Sequence, residues 1–134
     1  MDISSFDDLL RAAHAQAEPQ RLLFVFAGAE LPDDCTPAER ARFEAGQGGA
    51  LTPLMCVDKA PADVPGFASL VDESHQLGKE WAIVFVAALS GRHGQAPSAA
   101  AAEGALTRMV ESIKAGQIGA FIPFDQRGVG VALN

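Results

Sequence analysis

The chain has 134 residues, 49% of them hydrophobic and 20% charged, which is enough for one domain over residues 1–134 with a buried core and excludes a disordered composition. The net charge of −7 is uneven: residues 1–73 carry 13 acids and 5 bases, hence −8, and residues 74–134 carry 4 acids and 5 bases, hence +1. No run of Lys or Arg can neutralise a row of phosphates or an anionic bilayer, so nucleic acid and membrane are excluded as partners.

Near the start, Ser4 and Ser5 precede Asp7 and Asp8 by three residues, a capping-box-like signal, and Ile3, Phe6, Leu10 and Ala13 follow at helical spacing. Pro19 stops this helix. Leu22 to Ala27, bounded by Gly28, reads as a buried strand. Thr36-Pro37-Ala38-Glu39 opens a short second helix with a cap, a proline at the first helical position and an acid reaching back. Gly46-Gln47-Gly48-Gly49 ends it. A second strand runs from about Leu51 to Val57, and Pro53 makes it an edge strand or one that begins late.

Phe67, Leu70, Val71 and Leu77 mark a third helix closed by Gly78. Trp81 to Leu89 is apolar on both faces and predicts a central strand. A loop, Ser90-Gly91-Arg92-His93-Gly94, leaves it. The Ala-rich stretch from Ala96 to Ala102 reads as a loop running into a fourth helix over Ala102, Leu106, Met109, Val110 and Ile113, ended near Gly116. The tail predicts a hairpin: Ile118 to Phe124, a turn over Asp125 to Gly128, then Val129 to Leu133. Helices alternating with strands predict a layered α/β fold. Its mixed sheet has about four to five strands, flanking helices and a C-terminal β-hairpin that supplies the antiparallel part.

In open α/β sheets ligands sit past the carboxyl ends of strands. Three loops qualify: Gly28-Ala29-Glu30, Asp58-Lys59 and Ser90 to Gly94. The last combines two glycines, a cation and an imidazole. Ser90, Gly91, Arg92 and His93 could hold a carboxylate or phosphate on bare backbone N–H groups beside Arg92, with His93 as acid or base, or they could simply make an exposed turn. The spacing is not that of a P-loop, and Ala88 replaces the glycine a nucleophile elbow needs. Gly46, Gly48 and Gly49 form a second candidate, either a close backbone approach to a ligand or a flexible connection.

His14, His75 and His93 share no metal-ligand spacing, and the sequence points to no cofactor or metal. Cys56 falls in a predicted strand as a small core residue, and Cys35 follows Asp33 and Asp34, acidic neighbours that weaken a thiolate nucleophile. Asp2, Asp7 and Asp8 stand where a secretory signal would be basic, so a cytoplasmic location with reduced thiols is expected. The Phe residues and Trp81 read as core, and Asp33-Asp34 and Asp72-Glu73 as solvated faces.

Three stretches, Leu22 to Pro32, Arg42 to Leu51 and Glu80 to Gly91, together resemble a group of small uncharacterised bacterial proteins, over most of the chain. Some members carry the label ribonucleotide reductase alpha subunit. That enzyme requires a much larger barrel, a radical-bearing cysteine and a redox cysteine pair, and no residue here matches those roles. The resemblance names a group and supplies no site. Two functional expectations follow. One is a non-catalytic binding or interaction protein, self-associating through the edge of the C-terminal hairpin. The other is a small anion-binding domain or enzyme built on Ser90 to Gly94. A convergent pocket at Arg92 would favour the second.

Overall fold

The computed structural model describes residues 3–30, 36–38, 41, 50–76 and 81–131. The polypeptide runs α1 (Phe6–His14), β1 (Gln20–Glu30), β2 (Ala50–Lys59), a short 3₁₀ turn (Pro61–Asp63), α2 (Phe67–Gln76), β3 (Ile83–Ser90), α3 (Ala99–Lys114) and β4 (Ile122–Phe124). The strands form one sheet in the order β2-β1-β3-β4.

Every pairing in that sheet is antiparallel, which corrects the mixed sheet expected from alternating helices and strands. The reason lies in β1. Strands β2 and β3 both oppose β1, so they run in the same direction with α2 between them, as in a crossover unit. But β1 fills the gap, and the parallel relation never becomes a hydrogen-bonded pair. The same order separates the three predicted loops. Gln20 at the start of β1 faces Ser90, and Leu22 faces Lys59, so the ends of β2 and β3 lie together. Gly28-Ala29-Glu30 ends β1 at the opposite side of the sheet.

Alternation along β1 divides the core. Leu22, Phe24 and Phe26 face α1 and α2, where they join Phe6, Leu9, Leu70, Trp81, Val84, Val86 and Phe124. Leu23, Val25 and Ala27 face α3, with Phe85, Ala102, Leu106, Met109 and Ile113. The result is a helix–sheet–helix sandwich in three layers. Strand β3 is internal, as its apolar run predicts, with Val84, Phe85 and Val86 fully buried. Its far half is less covered, because α3 lies across β2 and β1 and because β4 stops pairing at Ile122. Pro53 sits in β2, an edge strand as predicted, beside a register shift opposite Phe26 and Ala27.

The ends of the helices follow their local signals. Ser5 caps α1 and accepts from the Asp8 amide at 3.3 Å, while the Asp8 carboxylate accepts from the Ser4 and Ser5 amides. Those bonds, led by the Ser4 amide, hold the Asp8 carboxyl below its ordinary value. A cap of this kind contributes about 1 kcal/mol. Ser98 caps α3, so the helix begins at Ala99, inside the stretch expected to be loop. Gly116, at φ +78°, closes it with a Gln117 amide reaching back to the Ser112 carbonyl at 2.8 Å.

The expected C-terminal hairpin is only partly realised. Its first arm is the three residues of β4, and the return meets it at one isolated bridge, Phe124 to Gly130. Asp125 organises the turn: its carboxylate accepts from the Arg127 amide at 2.8 Å and the Val129 amide at 3.1 Å, and the latter above all lowers its proton affinity. The N-terminal segment takes the place of a longer arm. The Gly130 amide donates to the Ser4 carbonyl at 2.8 Å, the Phe6 amide donates to the Gly128 carbonyl at 2.8 Å, and Ser5 bridges Val129. The return is therefore held on both sides by the chain itself.

Candidate functional site

The loop after β3 is a tight hairpin turn. Arg92 and Gln95 exchange both backbone hydrogen bonds, at 3.0 and 2.9 Å, around His93 and Gly94 with φ of 54° and 76°. Two central residues with positive φ define a type I′ turn. Its amides are largely committed. The Gly91 amide donates to the Pro19 carbonyl at 2.7 Å, and the Gly94 amide donates to the Glu18 carboxylate at 2.8 Å. Ser90 Oγ accepts from the Gln20 side chain at 3.0 Å and donates to the Gly91 carbonyl at 3.3 Å.

The charged side chains of this loop do not converge. Arg92 borders a shallow groove of about 420 Å³ that runs to Pro97, Ser98 and Ala101 at the start of α3. His93 is exposed and is not part of that lining. Arg92 has no ion pair among the described residues. The second predicted site, Gly46, Gly48 and Gly49, lies outside the described residues, as do Cys35, Asp33-Asp34 and most of the helix expected after Thr36. His14, His75 and His93 are all exposed, and no group of three potential metal ligands occurs among the described residues. No helix among them is long and apolar enough to cross a membrane.

A second site, which the sequence did not indicate, lies between β2 and α2. Phe26, Met55, Val57, Leu70, Glu73 and Ser74 line an apolar pocket of about 130 Å³. The pattern behind it is simple. Met55 and Val57 alternate onto the α2 face of β2, and α2 presents Leu70, Glu73 and Ser74 at helical spacing onto the same side. Ser74 is fixed there by two bonds: its hydroxyl donates to the Val71 carbonyl at 2.6 Å and accepts from the Trp81 indole N–H at 2.8 Å. Lys59 from β2 and Glu73 from α2 pair at 2.9 Å, beside the pocket.

Cys56 also borders this pocket. Strand alternation sends its side chain to the opposite face, so its contribution here is backbone. There the thiol is exposed rather than buried as expected, because at the sheet's edge strand alternation alone does not guarantee cover. The pocket thus opens beside the outer main chain of β2. Among the described residues no strand pairs with that outer edge, since β2 pairs with β1 alone.

Comparison of the chain with protein-family models, with curated proteins and with solved structures finds no match.

Proposed function

We propose that this protein is a non-catalytic interaction module that takes an extended peptide as an added strand along the outer edge of β2. What carries the reading is the combination of a strand edge with no pairing partner among the described residues and an apolar pocket beside it. Strand addition draws affinity from main-chain hydrogen bonds and specificity from pockets that accept alternate side chains. The edge from Thr52 to Met55 is interrupted by Pro53 and the register shift, devices that blunt indiscriminate pairing. The regular part, Met55 to Lys59, is the part that flanks the pocket. The edge of the C-terminal return is less suited to the role, because the Ser4–Ser5 segment already occupies it.

Amide hydrogen exchange tests this directly. With a synthetic peptide of alternating Thr and Leu in excess, slowed exchange is expected at alternate amides of Met55 to Lys59. N-methylating alternate peptide amides should abolish the effect in one register and leave it in the other. Protection centred elsewhere, or binding that survives N-methylation in both registers, would refute strand addition.

A second reading, a small-anion site, has one observation in its favour: Arg92 and the start of α3 border the same groove. Inorganic phosphate at about a hundred times its dissociation constant would then stabilise the fold by about 2.7 kcal/mol. The expected result under that reading is a rise in melting temperature with phosphate that Arg92→Ala removes. An equal shift in both proteins would rule Arg92 out.

A further inference from the structure

Resting on the strand-addition reading, we infer that the occupant of the β2 edge is a basic peptide from another protein, with one aliphatic side chain seated in the pocket and Lys or Arg two residues to either side. The pocket volume of about 130 Å³ is close to the ~150 Å³ of an apolar cavity that takes up benzene. It holds one branched aliphatic side chain and leaves no space for a second. In an added strand, side chains two positions apart share a face. The neighbours of the seated residue therefore rise beside α2.

That surface is acidic. Beside the pocket this helix carries Asp72 and Glu73, and among the described residues Lys59 of β2 is the base that pairs there. Glu73 pairs with Lys59, so that base is already engaged. Asp72 is exposed and has no ion pair among the described residues. A peptide carrying cations meets this surface favourably. A second copy of the chain does not. Antiparallel pairing of two β2 edges would place its two-fold axis perpendicular to the sheet and set both α2 helices side by side on one face. Asp72 and Glu73 would then approach their own counterparts, and like charges so placed oppose association.

The probes are two fluorescein-labelled peptides, Thr-Lys-Thr-Leu-Thr-Lys-Thr and Thr-Glu-Thr-Leu-Thr-Glu-Thr, titrated with the full chain by fluorescence anisotropy. The lysine peptide is expected to bind about tenfold more tightly at low salt, from two exposed charge contacts. Its advantage should shrink as salt rises and in Asp72→Asn/Glu73→Gln, whose altered side chains are surface groups. Equal affinities would overturn the charge inference and leave strand addition standing. Binding of neither peptide by a protein that sediments as a dimer would overturn it in favour of a second copy. Binding of neither by a monomer would remove strand addition as well.

Discussion

Phe6→Ala is expected to lower the unfolding free energy by about 3–5 kcal/mol, the range for removing a fully enclosed aromatic ring. Phe6 is 1% exposed. Its ring centroid lies 5.3 Å from Phe67, 5.9 Å from Phe124 and 6.0 Å from Phe24, so it touches α2, β4 and β1 at once. Its position at the first turn of α1 adds a backbone role, since its amide anchors the C-terminal return at Gly128. The substitution keeps that amide and removes only the ring, so the loss measures packing. A domain of this size has about 5–15 kcal/mol of stability in total, so the variant should sit near the edge of folding. Urea unfolding followed by the fluorescence of Trp81, which is buried within the same cluster, gives the measurement. The midpoint should fall with the slope unchanged. A loss below about 1 kcal/mol would mean that the aromatic cluster is not the joint between the layers.

Much of this cluster was readable from the sequence, because the physics that made it readable is local. Ser5 and Asp8 sit three apart before an apolar period of 3.6, and that spacing alone specifies a capped amphipathic helix with Phe6 facing inwards. Leu22 to Ala27 and Trp81 to Leu89 are short, apolar on both faces and rich in Phe and Val, which identifies internal strands. Pro53 marked an edge for a reason equally local, the missing amide. The order of strands was not readable. Whether β1 lies beside β2 and β3 or outside them depends on which faces meet after collapse, and no pattern within any one strand records it. The antiparallel order of the sheet therefore leaves no mark in the sequence, although each strand does.

The candidate sites divide in the same way. The Ser90–Gly94 loop stood out because its composition was unusual, yet its geometry is met by main-chain partners from Pro19 and Gln95 and by the Glu18 carboxylate. The β2–α2 pocket had no compositional mark. Met55, Val57, Leu70 and Ser74 are ordinary residues for a strand and a helix, and only their juxtaposition leaves a gap between them. A site made by a shortfall of packing between two elements is invisible to any reading of one element at a time.

Gly91→Ala is expected to destabilise the fold by about 3 kcal/mol, the upper range for forcing extra volume into a packed site. A Cβ at this position would stand 2.0 Å from the Gln95 carbonyl oxygen and 2.9 Å from that of Pro19. Both are backbone atoms, so no rotamer change relieves the clash. The two carbonyls accept from the Arg92 and Gly91 amides, and moving either breaks the turn or detaches it from Pro19. Gly94 supplies the control. It has φ +76° but no atom within 4 Å of an added Cβ, so Gly94→Ala should show conformational strain alone, about 1 kcal/mol. Equilibrium denaturation of both variants separates the two reasons a loop keeps its glycines. A large loss for Gly91 and a small one for Gly94 would mean that this loop needs its glycines to close β3 against Pro19, with no ligand required to explain them. Wild-type stability in Gly91→Ala would instead require the loop to depart from this close packing, and the groove at Arg92 would then be the better place to look for a ligand.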